Sequence, residues 1–111
     1  MKVMLRSDHE RIEPGKKHRL TLGVTYTVVG IECDDYRIVN DARDPVLYSP
    51  KLFDIVDPME PSDWVASVID GCRYAYPEEF NRVGFWEDYH DGQPEAVRKF
   101  DTYLRNAEKE R

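Results

Sequence analysis

Cysteine and glycine are scarce in this sequence and long apolar runs are missing, and each shortage removes a class of protein. Cys33 and Cys72 are the only cysteines among 111 residues. Two isolated thiols make neither a disulfide framework nor a zinc site, so both are expected to be reduced in a soluble, cytoplasmic chain. Glu32 and Asp34 flank Cys33 and would raise its thiol pKa, which lowers reactivity; Cys72 is expected to be a small core residue. The six glycines are scattered. None forms the glycine-rich turn that cradles a phosphate, so nucleotide binding has no support. No apolar stretch approaches the roughly 20 residues of a membrane span. The opening Met1-Lys2-Val3-Met4-Leu5-Arg6 turns charged too soon for a signal peptide.

Positive charge is also short. The net charge is −6, and it is uneven: residues 1–20 carry +3, residues 21–95 carry −11 and residues 96–111 carry +2. Phosphate binding needs a basic stripe, so an acidic middle argues against a nucleic-acid surface. The same charge would draw in a basic protein. The ordinary alternative is that these acids only solvate the surface.

Present in quantity are aromatic and β-branched residues. The chain fits one domain, residues 1–111, with one modest core. Val3-Met4-Leu5 reads as a first strand, and residues 6–19, with a Pro14-Gly15 turn, as one long surface loop. Gly23 to Ile31 is the strongest strand pattern. Tyr26, Val28 and, after a bulge at Gly30, Ile31 are expected to face the core. Strands are also expected at Tyr36–Asn40, Val46–Tyr48 and Phe53–Asp57. A hairpin loop over Asn40–Pro45 and a single helical turn at Ser49–Leu52 separate them.

Three segments carry a resemblance: Gly23-x-x-Tyr26-x-Val28, Asp35-Tyr36-Arg37-Ile38, and Pro45-Val46-Leu47-Tyr48-x-Pro50-x-Leu52-Phe53-x-Ile55-Val56. Over residues 20–57 the chain resembles SH3-like β-barrel modules of small bacterial proteins of the immunity-protein type. The resemblance implies a mainly β fold with α: a five-stranded SH3-like barrel over residues 1–57 with a helical extension, 58–111, packed on it. The paired-aromatic loop of eukaryotic ligand-binding SH3 domains is missing, so a proline-rich ligand is not implied.

In the second half, Ser62 or Asp63 reads as a cap. Trp64, Val65, Val68 and Ile69 fall at helical spacing, and Gly71 reads as the stop. Cys72–Tyr76 alternates as a short sixth strand. A helical turn follows at Pro77–Phe80, and a short helix or structured loop at Gly84–His90. A last helix starts at Pro94 with Val97, Phe100, Leu104 and Ala107 as its apolar stripe.

Chemistry is thin. Asp88, His90 and Asp91 form the densest cluster of potential ligands, but their spacing matches no metal motif, and no cofactor is implied. His9 and His18 have no nucleophile beside them in the sequence. The most informative patch interleaves rings with acids: Tyr74, Tyr76, Glu78, Glu79, Glu87, Asp88, Tyr89 and Asp91. Phe80, Phe85 and Trp86 are expected inward, and Tyr74, Tyr76 and Tyr89 partly outward. Aromatic anchors rimmed by carboxylates suit a basic protein partner. The leading expectation is a non-enzymatic, protein-binding immunity protein that occludes a cognate toxin. A peptide-binding adaptor is the alternative, and a small enzyme using Asp88 and His90 is the third reading.

Overall fold

The computed structural model describes residues 1–16 and 18–109. The chain divides into two compact units, Met1–Glu78 and Glu79–Arg111.

The first unit is a mostly antiparallel sheet of seven strands: β1 (Lys2–Leu5), β2 (Thr25–Glu32), β3 (Asp35–Val39), β4 (Pro45–Tyr48), β5 (Phe53–Asp57), β6 (Trp64–Ile69) and β7 (Cys72–Pro77). Five of them run in the order β4-β3-β2-β1-β5. No pairing of β4 with β5 closes this sheet among the described residues, so the closed barrel expected from the sequence is corrected to an open sheet. A 3₁₀ turn, Pro50–Leu52, precedes β5, with Ser49 capping it and proline at its first position. The expected loop over residues 6–19 contains a short helix, α1 (His9–Ile12).

Alternation sends Val3, Leu5, Tyr26, Val28, Ile31, Ile38, Tyr48, Leu52, Phe53 and Ala75 into one core. The bulge expected at Gly30 is present: Val28 pairs with Ile38 and Gly30 with Arg37, leaving one extra residue on β2. The bulge returns Ile31 to the core face. Tyrosine hydroxyls tie the loops down. Tyr26 donates to Asp41 at 2.6 Å and accepts from the Thr21 N–H, and Tyr48 donates to the His18 carbonyl. Burial pushes both phenols above their ordinary pKa.

The helix expected at residues 64–69 is a strand. Trp64, Val65, Val68 and Ile69 do sit at helical spacing, but Val65, Val68 and Ile69 are β-branched and Asp70-Gly71 follows. Asp70 and Gly71 both take positive φ (51° and 81°), the geometry of a two-residue type I′ hairpin turn. The dipeptide read as a helix stop is the turn between β6 and β7. These strands pair in unbroken register from Trp64–Pro77 to Ile69–Cys72.

The second unit is helical. A 3₁₀ turn at Glu78–Phe80 leads to α2 (Phe85–His90) and α3 (Pro94–Lys109). Phe80 sits at the centre of a ring cluster, with centroids 4.8 Å from Phe85, 5.7 Å from Trp86, 5.8 Å from Phe100 and 5.1 Å from Tyr103. The expected stripe of α3 turns inward at Phe100 and Leu104, and Ala96 joins it. No helix among the described residues is long and apolar enough to cross a membrane.

Candidate interaction surfaces

The β6–β7 hairpin joins the rest of the sheet where Ala75 pairs with Ile31 of β2. Its turn end is clamped. Cys33, in the β2–β3 turn, forms a disulfide with Cys72, the first residue of β7, with 4.7 Å between their Cα atoms. This corrects the expectation of two separate thiols: Cys33 is exposed and Cys72 half-buried, and the fold brings them together from far apart in sequence. Two hydrogen bonds flank the disulfide, from the Asp34 N–H to the Arg73 carbonyl at 3.0 Å and from the Arg73 N–H to the Asp34 carboxylate at 3.2 Å. Cys33 and Asp34 both take positive φ, 45° and 68°, an unfavourable conformation for side-chain-bearing residues that the clamp offsets. The pairing also removes the inference of a reducing compartment that rested on free thiols.

A second clamp is the Arg73–Glu60 fork, at 2.7 and 2.5 Å. The Arg73 guanidinium holds the Glu60 carboxyl below the ordinary carboxylate range, and Glu60 raises Arg73 in turn.

Beneath the hairpin lies a buried polar knot. Arg37 on β3 is 5% exposed. It donates to the Tyr76 hydroxyl at 2.8 Å, to the Pro45 carbonyl at 2.9 Å and to Glu32 at 3.2 Å, while Tyr76 donates to Glu32 at 3.0 Å. Burial pushes the Tyr76 phenol strongly upward. At 2% exposure, Tyr76 is no partner-facing ring, contrary to the expectation from sequence. Its hydroxyl gives a buried arginine and a half-buried glutamate a shared partner.

The remaining expected contact residues divide between the two units. Tyr74 is half-buried on β7 and Glu78 is exposed, both in the first unit. Glu79, Glu87, Asp88, Tyr89 and Asp91 belong to the second. Glu87 and Asp91, four apart at α2, are exposed. Tyr89 is half-buried, its ring centroid 5.4 Å from Phe100, while Phe85 and Trp86 are buried as expected. Asp88 is held by Arg82 at 3.0 Å and His90 is exposed. The Arg82 contact engages one oxygen of the Asp88 carboxylate. Among the described residues no group of three or more His, Cys, Asp or Glu is placed to hold a metal ion.

Two features were missed in the sequence reading. One is a concavity of about 530 Å³ beside β4, lined in part by Glu13, His18, Arg19, Asp35, Leu47 and Tyr48. Burial, with Asp34, Glu32 and Glu13 nearby, raises the Asp35 pKa. The other is β6 itself, whose strand pairing among the described residues is with β7 alone and which carries Val65, Val68 and Ile69 exposed. The Asp-Gly turn between two β-rich runs was the signal that could have revealed it. Comparison of the chain with protein families, characterised proteins and solved structures finds no match.

Proposed function

We propose that this chain is a non-enzymatic protein-binding module of SH3-like type, acting as an immunity protein that occludes a basic toxin. The observation that supports a binding role most is the apolar surface left in water on one unit: Ile55 and Val56 on β5, and Val65, Val68 and Ile69 on β6, each at least half exposed. Single exposed apolar residues are ordinary, but β6 carries them on both faces, Val65 and Ile69 on one and Val68 on the other, which supports a role in binding. The strand order β4-β3-β2-β1-β5, with a one-turn 3₁₀ helix before β5, supports the SH3-like assignment. Fold likeness names no partner, so the basic character is argued from charge: −11 over residues 21–95, with Glu87 and Asp91 exposed together at α2.

Acidic residues at a rim act on encounter more than on dwell time. The triple substitution Glu87→Gln, Asp88→Asn, Asp91→Asn is expected to slow association with the basic partner about ten-fold at low salt, with dissociation nearly unchanged. Glu87 and Asp91 should carry most of the effect, since Asp88 is already paired with Arg82. Surface plasmon resonance against the partner isolated from the native host checks this. An unchanged association rate would end the acidic docking model. The second reading, a peptide-holding adaptor, is favoured by the concavity beside β4.

A further inference from the structure

The open edge of β6 has a geometry that selects its occupant. A two-residue type I′ turn makes Ile69 and Cys72 a hydrogen-bonded pair, and antiparallel pairs alternate between bonded and non-bonded. Val65, Ser67 and Ile69 therefore aim their backbone groups at β7, while Ala66 and Val68 aim theirs away from it. The usual protections of an edge strand are missing from β6: Trp64–Ile69 holds no lysine, no proline and no charge, and its register has no bulge. Val68 is 72% exposed and Ile69 52%. The disulfide and the Arg73–Glu60 fork secure the hairpin's other strand, so the edge is ordered before anything binds.

We infer that β6 captures an extended strand of a partner protein by antiparallel addition, and that the captured strand is apolar with a basic residue at each end. The end chemistry follows from Asp63 and Asp70, which bracket β6. Both acids lie just outside the strand, so a captured strand with a negative charge at either end would meet repulsion there. A strand carrying Lys or Arg at those two places, with six residues between them, meets both acids favourably. This inference rests on the proposed binding role and gives it a surface and a ligand class.

The probe is an eight-residue peptide of alternating valine and threonine with lysine at each end, compared with the same peptide ending in glutamate. Amide hydrogen exchange and NMR titration of the full chain read the outcome. The lysine-ended peptide is expected to bind roughly ten-fold more tightly at low salt and to protect the Ala66 and Val68 amides. Asp63→Lys with Asp70→Lys should reverse the preference. Val68→Pro removes an outward N–H without losing a bond to β7, so it should abolish binding while leaving the hairpin folded. No binding by either peptide, protection elsewhere, or a concentration-dependent dimer protected at β6 would each overturn strand capture. A native basic partner whose affinity ignores Val68→Pro and the lysine pair would leave the binding-module reading standing and remove this one alone.

Discussion

Gly30→Ala is expected to destabilise the first unit by about 3 kcal/mol, although it adds a single methyl group. Gly30 sits at the β2 bulge, and a Cβ there would fall within the ring of Tyr76. A flexible side chain at the surface would swing aside at little cost. Tyr76 is buried and its hydroxyl is bonded to both Arg37 and Glu32, so moving the ring also strips partners from a buried guanidinium. The three atoms nearest the added Cβ all belong to Tyr76. The pair should therefore be strongly coupled: in the Tyr76→Ala background, Gly30→Ala should cost much less than in the native protein. Chemical denaturation of the four members of this cycle measures the coupling. Additive losses would show that the ring does not constrain Gly30.

The second large effect is loss of the disulfide. Cys33 and Cys72 are 39 residues apart, and a cross-link over a loop of that length is expected to contribute about 3–4 kcal/mol, mainly by restricting the unfolded chain. Cys33→Ser with Cys72→Ser, or reduction of the native protein, should lower the melting temperature by about 20 °C for a unit of this size. The turn end of the β6–β7 hairpin should respond first, because the left-handed Cys33–Asp34 turn is held against β7 there. Hydrogen exchange at Asp34 and Arg73 should accelerate more than exchange in β1. Two titratable thiols in the oxidised, folded protein, or equal melting with and without reductant, would contradict the pairing.

Both expectations concern contacts that join residues distant in sequence, and that explains which features could be read early. The run from Thr25 to Ile31 announces a strand by composition alone, and its bulge by a glycine in the middle. Ser49-Pro50 announces a capped turn. The stripe on α3 follows from its period. Residues 64–69 misled because their apolar positions satisfy a helical period; the decision lay in Asp70-Gly71, whose turn geometry favours a hairpin.

The candidate site was less legible. Tyr76 alternates like an exposed strand aromatic, and only the gap at Gly30 and the guanidinium of Arg37 make it a buried partner. The acids of α2 could be placed on an exposed turn from sequence, but not the engagement of Asp88 by Arg82.

Local pattern, then, determined the strands, turns and final helix of this protein, because backbone preference and side-chain period act over a few residues. Tertiary structure decided the Cys33–Cys72 bond, the burial of Tyr76 and the open edge of β6. Each depends on which strand lies beside which, and that is settled by packing across the whole unit, where no window of neighbouring residues carries the information.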